Sequence, residues 1–315
     1  MFLKVVIFIV ALCLTIFESS SSVWGAVSEG ICPSILGEYK VQNLFSKQSY
    51  LRDAVKAVFK DYEQRGMAKP KYLADPAIKN EDLIARDSNF NNFMDILPIE
   101  NVKLISREPT ETGYGVERVV VGSKTYYLRT IQRDMLDSYT RKVRLELSAS
   151  TLNQTMGLQV VPKTKLVKVD NVVGSLSESV VGHVIEHSRS TDPSRRMEAH
   201  GFEFLVGNVD SLSRNMLVDR EGVVKVFDHD FAFVLGIVKT LHHDENAKLR
   251  LYANSESLFG PTLPETYTEE FKAGLRKLTD KQIEKKFEYL LNEDERQALR
   301  FRRDILLKDI ELRGL

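Results

Sequence analysis

Apolar positions fall into three regimes along the chain. Leu51, Val55, Val58, Phe59 and Tyr62 recur at helical spacing, so they share one face of a helix that Gly66 is placed to stop. From residue 102 the period shortens. Val102 to Ser106, Val116 to Val120 and Thr125 to Arg129 are β-branched or aromatic runs, separated by Pro109 to Gly115 and by the turn Gly122-Ser123-Lys124. Helical spacing returns over Met135 to Met156, then two more strands are predicted over Thr164 to Val169 and Val172 to Val180. The last third is helical. Thr279 with Gln282 forms a capping box ahead of Ile283, Phe287 and Leu290, and Asn292 with Glu295 resembles one ahead of Leu299, Leu306 and Ile310. The pattern predicts an α+β protein in three parts: a helical extension over residues 26–100, a small antiparallel-sheet lobe over 101–182, and a larger helical lobe over 183–315.

The first 25 residues stand apart. Lys4, the 13-residue apolar run Val5 to Phe17 and the small-residue stretch Ser19 to Ala26 have the layout of a secretory signal peptide cleaved after Gly25. Thirteen apolar residues fall short of the ~18 needed to span a bilayer. The sequence therefore predicts an exported protein with no transmembrane segment in its mature chain. Removal of the peptide takes Cys13, leaving Cys32 alone, so no internal disulfide can form in a mature monomer. Asn153-Gln154-Thr155 is the one glycosylation sequon.

Composition narrows the choice of function. The chain has 315 residues, 44 basic and 44 acidic side chains and 43% hydrophobic residues, enough to bury a core and without the net charge of a protein held to nucleic acid by bulk electrostatics. Nine basic and nine acidic residues lie between Asp280 and Leu315, which reads as solvated, salt-bridged helix faces, Arg302 and Arg303 included.

The segment with the most chemistry runs from Gly207 to Phe233. Two strand-like runs, Asn215 to Asp219 and Val223 to Asp228, flank the turn Arg220-Glu221-Gly222. A hairpin symmetric about Glu221 sets Asp219 opposite Val223 and Asn215 opposite Phe227, which puts Asn215 beside Asp228. Asp210 precedes Asn215 by five residues. Three oxygen-bearing side chains then converge, the ligand type that hard divalent cations take together with phosphate and water. In phosphoryl transfer an Asp orients the attacking hydroxyl while an Asn and a later Asp hold the metal, which would make Asp210 the orienting residue and Asn215 and Asp228 the ligands. Asp230 would share Asp228's side of a continuing strand. Asp219 and Asp192 read as turn residues, His229 as a packing residue, and His242-His243-Asp244 lacks a further ligand pair for zinc.

Asp210 to Asn215, followed by Phe227-Asp228-His229-Asp230-Phe231-Ala232-Phe233, resembles the catalytic core of the HipA-type and phosphatidylinositol 3-/4-kinase-like branch of the protein-kinase-like fold. The resemblance runs from about Val102 to the C-terminus. It implies a two-lobed fold, with Gly113 and Gly115 in a phosphate-covering loop, Arg129 at the place of the ATP-binding lysine, and Glu146 as that residue's helix partner. It also implies ATP with Mg2+ or Mn2+ as cofactors, adenine against the connector near Val180 to Gly182, and transfer of the γ-phosphate to a hydroxyl, of a protein or of a phosphoinositide. Arg129 departs from the pattern: its planar fork can hold Glu146 bidentately but meets phosphate with a different geometry from lysine. A pseudokinase and a nucleotidyltransferase on the same fold are the alternatives. An exported kinase needs ATP where it arrives, so delivery to a host cell or a secretory lumen is expected. Asp210, Asp228 and Asp230 together predict an acidic mouth that repels ATP unless a cation accompanies it.

Overall fold

The computed structural model describes residues 38–67, 93–110, 115–131, 136–185, 192–208, 215–230, 232–233 and 263–315. The signal-peptide region, Cys32, Gly113, Asp210 and the His242-His243-Asp244 cluster lie outside them. The chain divides into two units, residues 1–49 and 50–315. The described part of the first is the opening of helix α1 (Glu38–Gln64). Within the second, Leu51, Val55, Val58 and Tyr62 are buried as their spacing predicts, and Gly66 follows the helix with φ 65°.

After the short helix α2 (Phe93–Ile96) come six strands, β1 (Glu100–Asn101), β2 (Ser106–Pro109), β3 (Val116–Val121), β4 (Lys124–Thr130), β5 (Thr164–Val169) and β6 (Val172–Glu178). They form one sheet in the order β1-β5-β6-β4-β3-β2. The predicted strand over 102–106 is mostly a crossover. Val102 N–H donates to the carbonyl of Lys168 on one side, and Ile105 N–H to that of Val120 on the other. Asn101 to Ser106 reaches at most about 18 Å, while six flat strands would set the edges about 24 Å apart. The sheet therefore curls, and Val119, Leu128, Val167, Val169 and Leu176 fill the curl with Val102 and Leu104. The sheet is also mixed rather than wholly antiparallel, because β1 runs parallel to β5.

Helix α3 (Leu136–Met156) is buried on nearly every side from Thr140 onward. Such a helix must satisfy its polar side chains internally. Arg144 gives one guanidinium nitrogen to the Glu295 carboxylate at 2.6 Å and to the Leu290 carbonyl at 2.7 Å, and a second to Glu295 at 3.0 Å. Asn153 accepts from the backbone N–H of Val160 and Val161, at 3.0 and 3.2 Å, and donates to the Val161 carbonyl at 3.2 Å. The sequon asparagine is thus spent on pinning the loop after its own helix, and the folded chain presents no acceptor amide there.

The rest of the second unit is helical around a small second sheet, β7 (Gly182–Val184), β8 (Met216–Asp219) and β9 (Val224–Val226), with helices α4 (Pro193–Val206), α5 (Glu269–Lys277), α6 (Asp280–Phe287) and α7 (Glu293–Arg313). The α+β, two-lobed architecture expected from the sequence is observed, a sheet lobe followed by a larger helical one. Asp192 caps α4 through Ser194 N–H, with Pro193 in the first turn, so it is a helix cap and not a free turn. Asn292 and Glu295 form the reciprocal capping box of α7. Arg302 and Arg303 correct the solvated reading. Both are buried: Arg302 Nε donates to the Leu205 carbonyl at 2.7 Å and Arg303 to that of Leu278 at 2.7 Å, so they cap the ends of α4 and α5. Among the described residues no helix is long and apolar enough to cross a membrane.

Candidate functional site

The hairpin is built as its sequence dictates. Asp219 Oδ1 accepts from the N–H groups of Glu221 and Val223, at 3.0 and 2.8 Å, and Gly222 takes φ 77°, a conformation open to it for want of a Cβ. Val218 pairs with Val224, and Phe227 N–H reaches the Asn215 carbonyl at 3.1 Å. Asn215 therefore sits opposite Phe227, next to Asp228.

Beyond that point the chain leaves the strand. Asp228 has φ 63°, the left-handed region that Asp tolerates better than most residues. The backbone is no longer a strand there, yet the Asp228 and Asp230 carboxylates still come together on one side, as their spacing suggested, with oxygens within 4.8 Å. His229 between them turns into the core, fully buried, and Asp230 is buried as well.

Arg129 of β4 meets them there. One guanidinium nitrogen lies 2.6 Å from Asp230 Oδ2 and the other 3.5 Å from Asp228 Oδ1. Its fork thus joins the two hairpin carboxylates, where the sequence suggested a bidentate grip on Glu146. Glu146 of α3 is spent elsewhere: its Oε1 accepts the His229 N–H at 2.9 Å. The His229 ring lies between Glu146 Oε2, 3.6 Å from Nδ1, and Glu203 Oε1, 3.3 Å from Nε2, which are ion-pair contacts rather than well-aligned hydrogen bonds. Lys142, one turn before Glu146, places Nζ 2.7 Å from Asp230 Oδ2, and Arg141 donates to the Asp230 carbonyl at 3.4 Å.

The electrostatics follow from burial and this pairing. Burial, then Asp230 and Glu146, push the Asp228 carboxyl up to about 6. Burial alone would lower the His229 imidazole, but Glu146 and Glu203 outweigh it and push it up to about 10. Burial alone would raise Glu146, but His229 and Arg129 hold it below the usual carboxylate range. Oxygens of Glu146, Asp228 and Asp230 lie within 4.8 Å of one another. Of the expected acidic mouth, Asp210 lies outside the described residues, while Asp228 and Asp230 gather with Glu146 and are paired with Arg129 and Lys142, with Arg141 on the Asp230 carbonyl.

Of the other expected site residues, Gly115 takes φ 69° just before β3, and Thr110 Oγ1 donates to the Val116 carbonyl at 2.8 Å. Gly113 and Asp210 lie outside the described residues. A cavity of about 590 Å3 is lined by Gln159, Lys163, Glu178, Val181, Arg220 and Lys225, among others. None of Arg129, Glu146, Asn215 or Asp228 lines it, so it is not the convergence point of the site. Lys142, Glu203 and the His229 bridge were missed by sequence reading. Their one signal was helical spacing, which sets Lys142 on Glu146's face.

No family model and no curated protein matches this chain. Among solved structures it is similar to CtkA, a proinflammatory kinase of Helicobacter pylori, at 12% identity over 68% of this chain and 99% of that one, with a TM-score of 0.44.

Proposed function

We propose that the chain binds ATP with a divalent cation between its two lobes and transfers the γ-phosphate to a hydroxyl, that of a protein serine or threonine. The observation that carries this reading is the joint between the lobes. A left-handed Asp228 at the mouth of a hairpin, beside Asn215, is paired with a cation on a strand of the sheet lobe. Phosphoryl transfer asks the protein for positioned charge of both signs and little covalent chemistry. The donor set fits a hard cation. Asp228 has 40% of its side chain exposed, and burial of the group followed by its neighbours Asp230 and Glu146 raises its pKa, so its outer face offers oxygen short of positive charge. Asp228 and Asn215 would hold Mg2+ or Mn2+, whose chemistry there is to neutralise the phosphates. Asp210, by its spacing, would orient the acceptor hydroxyl, and Gly113 and Gly115 would cover the phosphates. Export, which the first 25 residues suggest, belongs to the same proposal and implies arrival in a compartment that contains ATP.

One observation favours a second reading, nucleotide binding without transfer. Arg129 stands in place of lysine and ties Asp230 to Asp228, which restrains the carboxylate that a metal needs. The test is incubation with Mg2+ and ATP labelled in the γ-phosphate or in adenine, with Asp210→Ala and Asp228→Ala alongside. Gamma label on the chain or an acceptor, lost in both variants, supports transfer. Adenine label supports nucleotidyl transfer, and binding with neither label supports the second reading.

A further inference from the structure

Arg129 is only 11% exposed and its fork is occupied by two carboxylates, so the cation at the expected lysine position faces inward. Lys142 differs. Its side chain is 26% exposed, and its ammonium is held 2.7 Å from Asp230 Oδ2, the oxygen that also takes Arg129 at 2.6 Å. A carboxylate oxygen shared by two cations satisfies neither fully, and Asp230 is the carboxylate on which both Arg129 and Lys142 converge. Of these two cations Lys142 is the more accessible, and an ammonium on a four-carbon stem can turn toward an incoming anion without breaking the Arg129 pair.

We propose that Lys142, and not Arg129, is the side chain that meets the phosphates of a bound nucleoside triphosphate. Asp230 holds its ammonium in position until they arrive, and Arg129 fixes the hairpin to the sheet lobe. This rests on the reading of the site as a nucleotide site. It explains how an arginine can occupy the strand position without leaving the phosphates uncontacted: the lysine comes from the helix, four residues before Glu146 and on the same face.

The test is binding of Mg2+-ATP, inorganic tripolyphosphate and adenosine to the full chain, wild type against Lys142→Met, Lys142→Arg, Lys103→Met and Lys124→Met. Loss of a charge-assisted contact is expected to weaken ATP and tripolyphosphate by about 10- to 100-fold in Lys142→Met, with adenosine unchanged. Lys142→Arg should recover most of the affinity, and the Lys103 and Lys124 variants should match wild type. If wild type binds ATP and Lys142→Met binds it equally well, the assignment to Lys142 is overturned while the nucleotide site stands. Equal weakening of adenosine and ATP would also overturn it, since a merely structural ion pair would collapse the whole site. If wild type binds neither ATP nor tripolyphosphate, the underlying reading falls as well.

Discussion

Arg144→Met tests how the site is held. Arg144 and Glu295 are both buried, joined by two short charge-assisted bonds, and Arg144 also supports the Leu290 carbonyl. Methionine replaces the stem but leaves Glu295 buried with one hydrogen bond from its own capping box, the Asn292 N–H at 2.9 Å, and the more distant charge of Arg302. Removing one member of a buried pair costs about 3–5 kcal/mol, because the remaining charge is uncompensated. Replacing both members costs far less, since neither desolvated charge remains. Urea unfolding of Arg144→Met, Glu295→Met and the double variant measures this. Each single change should lower stability by about 3–5 kcal/mol, and the double variant should recover at least half of the loss. A loss below about 1 kcal/mol in Arg144→Met would refute the pair as a buried anchor. The consequence reaches the site, because α3 also carries Lys142 and Glu146.

Three further outcomes follow from the same coordinates. His229 has its pKa raised from 6.5 to about 10 in the fold, so its contribution is full below pH 6.5 and is lost as pH rises through 10; unfolding curves across that window should show the decline in wild type and not in His229→Gln. Asn153→Ala forfeits three bonds to buried backbone and should cost about 2–4 kcal/mol in chemical denaturation, and the folded chain from a glycosylating host should carry no glycan mass at that position. Gly207→Ala places a Cβ 2.7 Å from an Arg302 nitrogen at a φ of 62°, so thermal melting should show a loss of about 2–4 kcal/mol, against a smaller loss of about 1 kcal/mol for Gly222→Ala, where the positive φ is strained but no atom lies within 4 Å.

What the sequence disclosed and what it concealed divide along one physical line. The hairpin register and the capping box of α7 follow from short-range rules, the period of two and the reach of one side chain, and both are present. The path after Asp228 was hidden because a single left-handed residue ends the strand, and nothing in Phe-Asp-His-Asp announces it, although the convergence of Asp228 and Asp230 was legible from their spacing. Lys142 and Arg144 were hidden for a different reason. A helix enclosed on nearly all sides has no polar face to mark which of its charges are solvated, and their partners lie 88 and 151 residues away. The same applies to Arg302, whose place in a charge-balanced stretch suggested water when its partners were helix-terminal carbonyls. The parallel edge strand β1, two residues long, carried too little pattern to read.

The central claim is that Asp228, held between the lobes, serves nucleotide-dependent phosphoryl transfer. The most direct measurement is incorporation of γ-label from Mg2+-ATP by the full chain, wild type and Asp228→Asn side by side, with ATP affinity measured on both. Asn keeps the size of the side chain and removes its charge. The account predicts incorporation by wild type, its fall by at least about 100-fold in Asp228→Asn, and a folded variant with the melting behaviour of wild type. Equal incorporation by both proteins would contradict it.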